Sequence, residues 1–247
     1  MVPDRRTLAW LAGSLVILVV ISAAVTLLFA LGVLLPPPDE TDDFVDQLLF
    51  MRTHDEKAFP FVIIGSLATL GDYLIAAMLG LVLRAWAEPS PMRDGMALLL
   101  VFGGAIGIAA QLLNIGVGDA ARPYYCDCGY VAEEVIGLDR ALNVGWSMVN
   151  WLSIGAITLV GFGVALAGRV VEVSSTWRLL SYAIAVGALA AAALQVAGSI
   201  VFIGAFDPFL VADLILAVVS GILVPIWAIL LWHATSQPEA AARTTLA

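Results

Sequence analysis

The stretch "FVIIGSLATLGDYLIAAMLGLVLRAW", residues 61–86, carries two charged residues, Asp72 and Arg84, and is otherwise almost wholly apolar or small. A helix that crosses a bilayer needs about 20 such residues, because the hydrocarbon core offers the backbone no hydrogen-bonding partner but itself. This run is long enough. Five others match it, at 8–35, 96–117, 142–167, 179–203 and 209–232. Together they fill most of a 247-residue chain that is 62% hydrophobic and 13% charged, with a mean hydropathy of +1.00. Water-soluble domains do not have that composition. No segment between the spans is long enough for a core of its own. The expected fold is therefore all-α: a polytopic membrane protein, one integral domain over 1–247, built as a bundle of six transmembrane helices.

The flanks refine this plan. Arg5 and Arg6 precede the first run as in a secretory signal, but a signal core spans only about 7 to 15 residues, and this run is longer. It ends at the prolines 36–38, which cannot continue a helix. It reads as a first span. In the segment that follows, "PPPDETDDFVDQLLFMRTHDEKAFP" at 36–60, Phe44, Leu48 and Met51 recur on one helical face, while Asp42, Asp43 and Asp46 suit a helix N-terminus. A short amphipathic helix at the membrane interface is expected there. His54 is a lone histidine with Asp55 and Glu56 beside it but no second His or Cys near it, so a metal site is not expected there. The sixth span opens on Asp207-Pro208, a capping residue and a first-turn proline, and contains Pro225, where a kink is expected.

Cytoplasmic flanks of membrane spans retain Lys and Arg. With the N-terminus inside, seven of these residues fall inside and four outside, so both termini are expected in the cytoplasm. Ten arginines against one lysine, with abundant Ala and Gly, suit a GC-rich bacterial genome, so the expected location is a bacterial inner membrane. Thirteen acids then fall outside. Such a surface repels phosphate, which argues against a nucleic-acid partner and for small cations. The lipid bilayer and other membrane subunits are the remaining expected partners.

Within the spans, small and polar residues recur three or four apart. Gly65, Thr69, Asp72, Ala76 and Gly80 form one stripe; Gly103 and Gly107, continued by Gln111 and Asn114, a second; Asn143, Ser147, Asn150 and Thr158 a third; Ala183, Gly187, Ala191, Gln195 and Ser199 a fourth. Lipid tails give helices no hydrophobic reason to associate, so close approach at small residues and hydrogen bonds between polar ones make such stripes packing seams. Counting about 1.5 Å per residue from the outer ends, Asn114 lies near the surface, Gln111, Asn150 and Asp213 roughly 7 to 11 Å down, and Gln195 and Asp72 roughly 12 to 17 Å down. Two readings follow. Asp72, Gln111, Asn114, Asn150, Gln195 and Asp213 either make hydrogen bonds between helices, or line a pocket that opens outward with Asp72 at its floor. A carboxylate near the bilayer centre costs on the order of 3 kcal/mol on insertion scales, and no intramembrane Lys or Arg is available to pair with Asp72. It must be protonated, bonded to amides such as Gln195 or Gln111, or reached by water or a cation.

Both cysteines lie in "YYCDCGY", residues 124–130, as Cys126 and Cys128. Outside the membrane a C-x-C pair can close a strained and easily reduced disulfide, clamp a soft ion such as Cu(I), or stay free. No metalloprotease, P-loop or serine-hydrolase motif occurs, and neither histidine is inside a span, so the sequence leans away from an enzyme without deciding it, and no cofactor is expected. The last span, "ADLILAVVSGILVPIWAILLWHA" at 212–234, and the six-span plan resemble small bacterial membrane proteins of uncharacterised function. That resemblance implies the fold and assigns no functional residue. Three functions fit these readings: a non-catalytic accessory, assembly or sensory component; a protein that binds or transports a small cation or proton-linked ligand at Asp72; or a thiol-redox or soft-metal protein using Cys126 and Cys128.

Overall fold

The computed structural model describes residues 5–30, 33, 44–121, 132–200 and 208–236, and among these there is no strand. The proline run 36–38, Asp42, Asp43, Cys126, Cys128 and the Asp207 cap lie outside the described residues. The helices are α1 (Arg5–Ala30), α2 (Phe44–Trp86), α3 (Pro91–Ala121), α4 (Ala132–Val170), α5 (Ser175–Ile200), α6 (Pro208–Val218) and α7 (Val224–Ser236), the last two joined by a π-helical turn, Val219–Leu223. Six stretches are long and apolar enough to cross a bilayer, the sixth running through α6, the π turn and α7. The protein is a multi-pass membrane protein.

α2 and α4 exceed their expected bounds most. The amphipathic segment beginning at Phe44 is helical, but it continues directly into the second span as one element of 43 residues. Pro60 sits at the join. It offers no N–H to the carbonyl four residues back, and it falls where the charged leading turns give way to the apolar span that starts at Phe59. α4 likewise starts at Ala132, ahead of the expected span, so "EEVIGLDR", residues 133–140, is part of the helix. The two short connections are closed by serines. Ser90 Oγ accepts from Arg93 N–H at 3.2 Å and precedes a proline at the first helical position; Ser174 Oγ accepts from Trp177 N–H at 3.1 Å. Both are N-caps that satisfy otherwise orphaned donors.

The helices alternate in direction and form a ring. Each packs on its neighbours in sequence, and α1 closes the circle against α7, the π turn and α6. Small residues set the spacing. A Cβ on Gly65 would meet Val25 of α1, one on Gly80 would meet Leu100 of α3, and one on Gly168 would lie 2.6 Å from the Ser181 Cβ. The stripe on α2 therefore winds from the α1 seam, across the ring interior, to the α3 seam. The Gly103–Gly107 pair does not form one seam either: Gly103 meets Val160 of α4, whereas Gly107 receives the Tyr73 ring of α2. α3 is wedged between two neighbours, and residues four apart on a helix differ by about 40° in direction, enough to face both.

The ring is tightest at the end that holds the start of α1 and the end of α7, here called the terminal end. Leu8, Leu83, Met96, Trp177 and Leu231 are fully buried there. Outward faces expose Trp10, Ile17, Leu67, Phe102 and Val186, an apolar surface suited to lipid. At the sixth span the expected kink takes a specific form. Val224 N–H bonds to Val219 O, five residues back, immediately before Pro225. With no N–H on Pro225, the α-helical bond to Gly221 cannot form, and the widened turn accommodates the loss.

Candidate functional site

Because six helices arranged in a ring cannot all meet at its axis, space remains inside. It is a cavity of about 380 Å³, lined by residues from every span. On each helix the lining recurs at three or four residues: Ser22 and Thr26 on α1, then Thr69, Asp72, Tyr73 and Ala76 on α2, and Asp213, Leu216 and Ser220 into the π turn. Gln111 of α3, Ser153 of α4 and Gln195 of α5 complete the polar part. Beyond Asp72, toward the terminal end, Leu15, Leu79, Leu100, Val164, Ala167 and Ile184 line it, and Trp227 closes it. Asp72 is thus not the floor. Ala76 on the next turn leaves the axis open past the carboxylate.

Four hydroxyls in this lining, those of Ser22, Thr26, Thr69 and Ser220, have their protons committed. Thr69 Oγ1 donates to Gly65 O at 2.9 Å, so in its 2.8 Å contact with Ser22 Oγ the serine is the donor. Thr26 Oγ1 donates to Ser22 O and Ser220 Oγ to Leu216 O, each four residues back. What these groups offer the cavity is lone pairs. Two acceptors stand out. Asp72 Oδ1 and Gln195 Oε1 are buried with no hydrogen-bond partner, and Gln195 is only 8% exposed. Unmet buried polar atoms cost about 1 to 3 kcal/mol each, more when charged, so both call for a donor. Among the described residues that line the cavity there is no Lys, Arg or His to supply one. Nor do any three His, Cys, Asp or Glu converge among the described residues.

At the closed end Trp227 stacks on Trp177, ring centroids 5.0 Å apart and planes at 24°. Trp227 Nε1 donates to Ser181 Oγ at 2.8 Å, and that hydroxyl passes its own proton to Trp177 O at 2.9 Å. Trp227 therefore presents carbon to the cavity.

Of the six residues read as a polar pocket, Asp72, Gln111, Gln195 and Asp213 line this one cavity. The other two are elsewhere. Asn114 donates to Ser66 Oγ at 2.9 Å across the α2–α3 seam. Asn150 donates to Ser199 Oγ at 3.1 Å and lies in a separate groove with Asn143, Trp146, Ser147, Trp151 and Phe209. Three of the four residues of the α4 polar stripe face that groove rather than the axis, and the fourth, Thr158, bonds its own helix at Ile154 O. Tyr73, Ser22 and Trp227 were not singled out from sequence; only the three-to-four spacing of Tyr73 and Thr69 on one face could have pointed to any of them. No protein-family model, curated protein or solved structure matches the chain.

Proposed function

We propose that this protein is a non-catalytic, membrane-embedded binding protein that takes a small cation or proton-linked ligand into the cavity among its six helices, for transport or for sensing. One observation carries the reading: two buried acceptors without partners, Asp72 Oδ1 and Gln195 Oε1, line the same cavity, which holds no basic side chain among its described lining residues. Intramembrane carboxylates mark ion and substrate paths more often than structure, because their cost must be offset. In the orientation favoured by the distribution of Lys and Arg, with both termini in the cytoplasm of a bacterial inner membrane, the polar half lies toward the outside. Acidic outer segments would concentrate cations at that face.

The test is ligand-dependent thermal stability of purified protein with sodium, potassium, magnesium and methylammonium. A ligand that binds only the folded state at a hundred times its Kd adds about 2.7 kcal/mol. At least one cation should raise the melting temperature of the wild type and leave Asp72→Asn, which keeps size but cannot ionise, unmoved. If Asp72→Leu melts and responds like the wild type, the carboxylate has no part in binding and the reading fails.

A further inference from the structure

We infer that the ligand is an organic ammonium ion with an apolar body, its nitrogen held at Asp72 and Gln195 and its body lying toward Trp227. This rests on the binding role proposed above and goes further, since it names the class of ligand. The cavity is divided along its length. Its polar half is rich in acceptors without donors of their own: Asp72 Oδ1 and Gln195 Oε1 lack partners, and the Ser22, Thr69 and Ser220 hydroxyls have their protons committed elsewhere, while Gln111 and Ser153 add neutral polar groups and no charge. An ammonium group supplies several donors and a charge, which meets both needs. Its other half is lined by Leu79, Leu100, Val164 and Ile184 and closed by Trp227, whose one donor is held by Ser181. A bare metal ion would leave that half empty and forfeit its contacts, and hard cations take six or more oxygen ligands. A wholly apolar ligand would strand Asp72. A molecule with a cationic donor at one end and carbon at the other matches both halves and neutralises the carboxylate. The volume, about 380 Å³, is that of a small-molecule site and does not hold a two-chain lipid, so the ligand is a free amine.

The experiment titrates a series of linear primary alkylammonium ions, methyl to octyl, and the matching neutral alcohols into the protein in phosphatidylcholine nanodiscs. Binding is read by calorimetry and by tryptophan emission, for which Trp227 at the closed end is the reporter. Affinity should rise about fourfold per methylene as the chain fills the apolar half, and stop rising once it is full. The alcohols should bind far more weakly. Asp72→Asn should weaken the ammonium series to the level of the alcohols, and Val164→Phe, which fills the apolar half, should abolish the chain-length dependence while methylammonium still binds. If methylammonium or a metal ion binds as tightly as any longer chain, the site recognises charge alone: the binding role stands and this inference falls. If alcohols match the ammonium ions, the inference falls because Asp72 is not the recognition group. If nothing binds in either assay, the binding role itself falls.

Discussion

Tyr73 follows Asp72 in sequence, and its ring lies on Gly107 of α3, where any side chain would occupy the same space. Its backbone carbonyl is pressed nearly as close, 2.6 Å from where a Cβ on Gly104 would stand. These two glycines therefore set how near α2 approaches α3, and with it where Asp72 stands in the cavity. A larger residue at 107 must push Tyr73 aside, and overpacking of this kind costs about 1 to 3 kcal/mol. Gly107→Leu is expected to lower thermal stability by that amount and to weaken cation binding, whereas Gly116→Ala on the same helix, with nothing within 4 Å of the added Cβ, leaves both unchanged. Comparing melting curves of the two variants checks this. The carboxylate was legible from sequence because a charge in the middle of a span has a cost that demands a reason. Tyr73, Ser22 and Trp227 were not, because aromatic and hydroxyl residues are unremarkable in a span until the neighbouring helix is known.

The sixth span departs from α-helix at a position that proline alone does not explain in full. Pro225 removes one donor, yet the response is a complete π turn at Val219–Leu223 that puts Ser220 and Val219 into the cavity and seats Val219 against Gly187 of α5. A π turn holds one more residue than the α turn it replaces, so it rotates α6 by about 100° relative to α7. That rotation lets Asp213 on α6 and Trp227 on α7 line the same cavity. Pro225→Ala restores the missing N–H and allows the helix to relax to α form. The variant is expected to fold with equal or greater stability, but with α6 turned so that Asp213 leaves the cavity and ligand-dependent stabilisation falls. Thermal shifts with and without cation separate the two effects; a variant that binds as the wild type does would show that the π turn is incidental. Sequence gave the proline and so the irregularity, but a kink and a π turn cannot be told apart from it, since the choice depends on how Val219 packs against α5. For the same reason helix lengths were underestimated for α2 and α4: hydropathy reports where lipid begins, not where the backbone stops being helical.

At the scale of the whole molecule, six spans were legible because each exceeds the length a bilayer demands, and the ring was not, because hydropathy says nothing of which helix adjoins α1. The ring determines what the polar residues become. Asp72, Gln111, Gln195 and Asp213 sit on four different helices, and only closure of α1 against α7 and α6 makes their faces converge, while Asn114 and Asn150 are left to seams and grooves. Alternating directions also tie the ends together. The C-terminal end of α3, which leads toward Cys126 and Cys128, and the C-terminal end of α7 lie at opposite ends of the bundle. The two ends must therefore face opposite sides of the membrane, whichever way the protein is inserted. The orientation we propose, with the C-terminus inside, is the one the seven-to-four division of Lys and Arg favours. A membrane-impermeant maleimide applied to intact cells after mild reduction is expected to modify Cys126 or Cys128. In a Cys126→Ser, Cys128→Ser background, Ser236→Cys should be modified only after the membrane is permeabilised. The converse pattern would invert the protein, place the polar half of the cavity toward the cytoplasm, and turn the proposed uptake from outside into capture from within, with the chemistry at Asp72 unchanged.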